Sequence, residues 1–257
     1  MDYNYHTHTY RCFHATGTPE EYVLRALENG IRYMGFSDHI PFRCEDGYED
    51  LGIRVPVKDA EDYVAQLRQL REKYRGQIDI AIGFETEYYG AHFPAMLENA
   101  RRWGAEYLIL GQHYVRPEHP DGVHSKHPTT DPVALEAYAD SLVAGMKTGV
   151  FTFVAHPDVY NFVGDRDMYM EIMGRVCVTS RELDVPLEIN FYGIRDGRNY
   201  PCEAFWQVAG EKKAPVTFGF DAHTAESAFD GCSLPRAMEL VEKYRLNYIG
   251  RPPIVRL

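Results

Sequence analysis

Apolar positions along this chain alternate between two rhythms. Short, densely apolar runs around Asp2 to His6, at 31–37, and at Ile78 to Glu85, Tyr107 to Leu110, Phe151 to Ala155, Pro186 to Ile189 and Pro215 to Phe220 read as buried strands. The stretches between them carry helical spacing. Thr18-Pro19-Glu20-Glu21 has the capping-box pattern with proline at the first helical position, and Gly30 follows that helix as a stop. A long amphipathic helix is predicted over roughly 58–75, with Ala60, Tyr63, Val64, Leu67 and Leu70 on one stripe and Gly76 after it. Further helices are predicted near 93–103, 132–147, 166–183 and 202–210. Seven strand-helix repeats predict an α/β fold, a distorted (β/α)7 barrel of the TIM-like kind, forming one domain over 1–257. An open, doubly wound sheet is the alternative. A closed barrel fits better because it gathers the loops after all strands on one face.

Composition adds little to the fold and more to the partners. Hydrophobic residues make up 45% and charged residues 25% of the 257 positions, an ordinary globular balance. No run of eighteen apolar residues occurs, and Met1 to His6 lacks a basic-then-apolar signal, so a cytoplasmic protein without a membrane partner is expected. The formal charge of −11 opposes a nucleic-acid partner. A small anion still fits where clustered cations reverse the local field. The five cysteines, Cys12, Cys44, Cys177, Cys202 and Cys232, are odd in number and contain no Cys-x-x-Cys, so they read as reduced thiols that mostly pack. Nothing in the pattern specifies an oligomer.

The candidate chemistry sits at the strand ends. Nine potential metal ligands occur at seven places: His6 with His8, His14, His39, Glu85, His113, His156, and Asp221 with His223. Side chains alternate along a strand, so His6-Thr7-His8 and Asp221-Ala222-His223 each present a pair on one face. Imidazole nitrogen and carboxylate oxygen suit zinc, manganese or iron, and spacing does not choose among them. A carboxylate also bridges two ions. Glu85 and Glu87 lie on the same strand face, so geometry alone leaves the bridge open between them. His92, His119, His124 and His127 have no strand-end placement and read as loop or surface residues. The segment Arg116 to Pro132, rich in proline and histidine, is a candidate lid.

These residues reach a known family. Tyr5-His6-Thr7-His8-Thr9, His14, Ser37-Asp38-His39, Gly83-Phe84-Glu85, His113, Ala155-His156-Pro157-Asp158, Glu188-Ile189-Asn190 and Asp221-Ala222-His223 together resemble the polymerase and histidinol phosphatase (PHP) superfamily. Size and motif order are most similar to its stand-alone histidinol-phosphate phosphatases. The resemblance implies a distorted barrel of seven β/α units holding three divalent transition-metal ions. It assigns one ion to His6, His8, Glu85 and Asp221, a second to Glu85, His113 and His156, and a third to His14, His39 and His223. Glu85 becomes the bridge because the family's bridging glutamate directly follows a Gly-apolar pair, and Glu87 becomes a partner of the ligands.

The implied reaction is hydrolysis of a phosphate monoester, with histidinol phosphate as the small phosphorylated metabolite. Asp38 is implied as general acid for the leaving oxygen. Arg195, in a stretch similar to the family's Asn-x-x-Gly-x-Arg, is implied as a fork on the phosphate. Acidic side chains around the pocket are expected to receive the substrate's ammonium. Two departures stand out: Val159-Tyr160-Asn161 follows Asp158 where the family often has basic residues, and Gly111-Gln112-His113 replaces a common serine-containing version. The alternatives are a PHP phosphoesterase for a nucleotide or sugar phosphate, an amidohydrolase, and a non-catalytic metal-binding module. The amidohydrolase reading lacks its usual strand-four lysine, since Leu108 to Leu110 contains none.

Overall fold

The computed structural model describes residues 1–44, 46–50, 52–117 and 122–257. Eight parallel strands follow one another in spatial order around a curled sheet: β1 (Tyr3–Asn4), β2 (Tyr33–Phe36), β3 (Asp79–Thr86), β4 (Tyr107–Leu110), β5 (Phe151–Val154), β6 (Leu187–Asn190), β7 (Pro215–Gly219) and β8 (Asn247–Tyr248). Helices α1 (Pro19–Glu28), α2 (Ala60–Lys73), α3 (Phe93–Trp103), α4 (Pro132–Lys147), α5 (Arg166–Leu183), α6 (Phe191–Arg195), α7 (Glu203–Lys212) and α8 (Leu234–Tyr244) complete the chain. Each strand but the last is followed by at least one helix, which is what a parallel neighbour requires.

The local rules hold where the sequence stated them. Thr18 and Glu21 form the reciprocal capping box with Pro19 at the first turn. On α2 the stripe Ala60, Tyr63, Val64, Leu67 and Leu70 is buried, and Gly76 leaves the helix at φ +80°. Three elements were not expected: α6, which the Asn190 side chain caps through the Gly193 amide at 3.1 Å, and the terminal pair α8 and β8.

The seven-unit expectation survives at the end that matters. There the continuation of β1 meets the continuation of β7 directly, through the bridge Thr7–Ala222 with His8 N to Ala222 O at 2.9 Å and Ala222 N to His6 O at 3.2 Å. At the opposite end β8 lies beside β7, pairing Pro215 with Asn247 and Val216 with Tyr248. A large apolar core fills the space between sheet and helices. A smaller one, Tyr3, Tyr5, Ala81, Tyr107, Ile109, Phe153 and Ala155, fills the barrel interior, with Ile254 of the C-terminal tail packed against it. Among the described residues no helix is long and apolar enough to cross a membrane.

Candidate metal centre

On β3 and its neighbour β4 the side-chain alternation runs unbroken from the inner core outward. Ala81, Gly83, Glu85 and Glu87 share one face, as do Tyr107, Ile109, Gly111 and His113. The strands therefore lift Glu85 and His113 off the apolar floor and into the mouth of the barrel. At β5 and β7 the backbone instead turns into the left-handed region at His156 (φ 28°) and Asp221 (φ 48°). Backbone strain of this kind is retained where a side chain must be aimed. His14 arrives by a third route, a 3-10 turn at Tyr10–Cys12 that closes on a left-handed Phe13 (φ 63°).

The nine predicted ligands meet. Glu85 is 1% exposed and its two oxygens face different imidazoles. Oε1 lies 2.8 Å from His156 Nε2 and 3.6 Å from His113 Nε2. Oε2 lies 3.4 Å from His6 Nε2 and 3.3 Å from both His8 Nε2 and His39 Nδ1. The Nε2 atoms of His6 and His8 are 3.2 Å apart, and Asp221 Oδ1 stands 3.4 Å from the first and 3.3 Å from the second. The His14 ring lies 4.7 Å from that of His223 and 5.4 Å from that of His39. His39 thus stands between sets, beside His14 but also against Glu85.

Buried atoms in this cluster lack partners. Of the buried side-chain atoms without a hydrogen bond, His39 Nδ1, Glu85 Oε2 and Asp221 Oδ1 lie in this cluster, Oε2 being 3.3 Å from His39 Nδ1 and Asp221 Oδ1 3.3 Å from His8 Nε2. An unsatisfied buried polar atom costs about 1–3 kcal/mol, and three in one cluster call for a shared cation. The nitrogen and oxygen donor set fits divalent transition metals. Cys12 is close to His8 and His14, but its thiol donates to Thr9 O at 3.0 Å.

Carboxylates behind the ligands fix their orientation. Glu188, fully buried, places Oε1 2.8 Å from His6 Nδ1 while Oε2 accepts from His156 N at 3.0 Å and Asn190 Nδ2 at 2.9 Å. Glu87 lies 3.0 Å from His113 Nδ1 and is itself held by Arg54 at 2.7 Å, so the structure separates the two glutamates of β3. Two glycines make room for these acids. A Cβ at Gly111 would fall 1.9 Å from Glu85 Oε1, and one at Gly219 would fall 1.7 Å from Glu188 Oε1. Arg54 and Gly219 were not singled out from the sequence, and Glu188 and Gly111 stood in quoted motifs without a role of their own. An acid inside an otherwise apolar buried strand, Leu-Glu-Ile-Asn, was the available signal for Glu188.

The electrostatics follow from this crowding. Burial works against a charged imidazole at His6, yet Asp221, Glu188 and Glu85 hold it well above its ordinary value. Burial would raise Glu85, but His39, His113 and His6 pull its carboxyl well below the usual range. Burial and the neighbouring His8 hold His223 well below the ordinary imidazole value, and burial does the same to His39 against the pull of Glu85. Imidazoles kept neutral in this way are ready ligands.

Two predicted site residues, Asp38 and Arg195, stand outside the cavity lining. Asp38 is fully buried and faces away from the cavity. Its Oδ1 accepts from Thr9 N at 2.7 Å and its Oδ2 from Thr9 Oγ1 at 2.6 Å, with His8 Nδ1 3.8 Å from Oδ1. Burial pushes this carboxyl up to about 6, and both its oxygens are held by Thr9 on the side of His8 away from the cavity. Arg195 is also outside the lining: its guanidinium binds Asp230 at 2.6 Å and the carbonyls of Phe220 and Asp221 at 3.4 and 3.3 Å.

The cavity, about 420 Å³, is walled by Ile53, His124, Lys126, Val159, Tyr192, Arg198, Asn199 and Tyr200 around the ligand cluster. Its described lining contains no carboxylate besides Glu85 and Asp221, so the acidic receptor expected for an ammonium group is absent there. His124, expected at the surface, lines the site with its ring 5.9 Å from that of His113. Within Arg116 to Pro132, the candidate lid, His124 and Lys126 line the cavity, and His119 lies outside the described residues.

Proteins of known name are similar to this chain over most of its length. The chain is 26% identical over 226 residues to a probable histidinol-phosphatase of Deinococcus radiodurans, covering 85% of each chain. It is likewise 26% identical to a histidinol-phosphatase of Bacillus subtilis, covering 86% of this chain and 92% of that one. The histidinol phosphate phosphatase of Lactococcus lactis, solved with zinc, L-histidinol and phosphate, superposes with a TM-score of 0.72 at 16% identity over 96% of this chain and 95% of that one. At that identity the superposition speaks for the fold. Residues 4–191, from β1 to the start of α6, match the PHP domain, and with that match the chain belongs to the PHP domain family.

Proposed function

We propose that this protein is a metal-dependent phosphate monoester hydrolase whose substrate is L-histidinol phosphate. The observation that carries the reading is Glu85, whose two oxygens face separate groups of imidazoles, the arrangement a carboxylate shared by two cations requires. His6, His8, Glu85 and Asp221 would hold one ion, Glu85, His113 and His156 a second, and His14, His39 and His223 a third, each zinc, manganese or iron. Such ions lower the pKa of a water to about 7 and offset charge on phosphate oxygens. Support for histidinol phosphate comes from the relatives of that name, whose similarity extends over most of the chain.

The protein's own residues act by placement. Glu188 and Glu87 keep His6 and His113 in the tautomer whose Nε2 faces the centre. Asp38 steadies the Thr9 backbone that carries His8. Asn199 and Tyr200, neutral and polar in the wall, are left to receive the ammonium and imidazole end of the substrate.

Steady-state kinetics on histidinol phosphate beside a panel of phosphate monoesters, using protein of measured metal content, tests the reading. The expected result is a kcat/KM for histidinol phosphate well above that for a generic aryl phosphate. A strong preference for another metabolite would retain the phosphoesterase and remove the assignment to histidinol phosphate. No turnover of any phosphate ester by fully loaded protein would remove both.

A further inference from the structure

We propose that Arg198 and Lys126 together form the cationic clamp on the substrate's phosphate, taking the place expected for Arg195. The inference rests on the phosphatase reading and names the residues that give that site its charge selectivity. A phosphate dianion approaches a chain of net charge −11, so the cations that face the cavity determine whether it is welcomed. Among the described residues of the lining, Lys126 and Arg198 are the only lysine and arginine. Arg195 is committed to Asp230 and to the carbonyls at the end of β7. The positions after Asp158, Val159 and Tyr160, are uncharged.

Both cations are mounted on braced backbone. Arg198 N donates to Gly193 O at 3.0 Å, anchoring its loop to α6. Its guanidinium lies over the Tyr192 ring at 4.0 Å, and that ring stacks on His223 at 4.8 Å with 27° between the planes. His223 in turn stacks on His8 at 4.3 Å. The guanidinium is therefore the outer layer of a pile whose inner layers are proposed metal ligands, with its edge donors free to reach across the cavity. Among the described residues its ion pair is with Asp196, at 3.3 Å and half-exposed. Asp158 fastens the far end of the same loop, accepting from Cys202 N at 2.6 Å and Trp206 Nε1 at 2.8 Å, and Asn199 donates to Val159 O at 3.0 Å.

Lys126 comes from the opposite wall. Its segment is tied to β4 by Ser125 N to His113 O at 2.8 Å, and to the β5 side by Asn161 N to Ser125 O at 2.9 Å and Asn161 Nδ2 to Lys126 O at 3.0 Å. The same hydrogen bonds that place Lys126 also touch the backbone of His113, so the cation is held in register with the centre. A planar fork on one side and a mobile ammonium on the other suit a tetrahedral phosphate seated between them.

The test is a set of variants, Arg198→Ala, Lys126→Ala, the double variant, and Arg198→Lys, each loaded with metal and checked for unchanged metal content. Two measurements are made: kcat/KM on histidinol phosphate, an alkyl phosphate and an aryl phosphate, and equilibrium binding of inorganic phosphate by dialysis. Each alanine variant is expected to lose about 10- to 100-fold in kcat/KM, by a similar factor for all esters, and to weaken phosphate binding by a comparable factor. Arg198→Lys is expected to recover part of the loss. A loss confined to histidinol phosphate would place these cations on the leaving group and overturn the proposal, as would phosphate binding unchanged within threefold. Because phosphate binding is read without turnover, failure of the clamp is distinguishable from failure of the phosphatase reading, which would show as wild-type protein that binds phosphate and hydrolyses nothing.

Discussion

Glu188→Gln isolates what a carboxylate behind the ligands contributes. Glu188 is 0% exposed and has three partners: His6 Nδ1 at 2.8 Å on Oε1, and His156 N at 3.0 Å with Asn190 Nδ2 at 2.9 Å on Oε2. Two of those partners are obligate donors, so the glutamine carbonyl must stay on the Oε2 side. Its amide NH2 then faces His6 Nδ1. For His6 to offer Nε2 to an ion, Nδ1 must carry the proton, and the substitution sets donor against donor. Either the imidazole changes tautomer and withdraws its Nε2 lone pair, or the contact opens and a buried N–H is left without an acceptor. The lost charge-assisted hydrogen bond is worth about 1.5–3 kcal/mol, which corresponds to roughly 10- to 100-fold in metal affinity. Chelator competition with purified wild type and variant measures that affinity, and circular dichroism checks that the fold is intact. A folded variant whose affinity for every ion is unchanged within threefold would refute the claim that Glu188 sets the His6 tautomer.

The remaining predictions concern the centre itself. Wild-type protein is expected to carry close to three transition-metal equivalents by elemental analysis, and Glu85→Gln to retain about one, because one side chain serves both neighbouring sets; full retention would end its role as a bridge. Gly111→Ala is expected to lose metal as well, since its Cβ would press on Glu85 Oε1 from 1.9 Å, and a variant with normal metal content would show that β4 yields instead. Asp38→Asn is expected to lower stability by about 1–2 kcal/mol through the weakened bonds to Thr9, measured by denaturant titration, while kcat on an alkyl phosphate falls less than tenfold. A loss of several orders in kcat at full metal content would instead support Asp38 as the general acid.

Strand-end placement made most of the centre legible in the sequence. A ligand at the end of a buried strand has its direction set by a period of two, and parallel strands in a barrel bring such ends together, so Glu85 and His113 could be placed, and His6 paired with His8, without coordinates. Helix α2 and its buried stripe were legible for the same reason: a local period determines a local face. Long-range pairing left no such mark. Arg195 and Arg198 sit three positions apart in sequence, and only tertiary packing, with Asp230 against Arg195 at the end of β7, decides which is occupied and which faces the cavity. Glu85 and Glu87 share a strand face, so alternation did not separate them; the family resemblance favoured Glu85, and the physical reason is Arg54, 33 residues before Glu87, which holds the second. Asp38 lies next to a ligand in sequence, yet the extended backbone turns it to the opposite side, where Thr9 takes both its oxygens. The sequence determined which residue types reach the mouth of the barrel, because alternation and helical spacing are properties of neighbouring residues. The tertiary structure decided which of them are free to act, because a buried charge goes to whichever partner satisfies it and that partner comes from elsewhere in the chain.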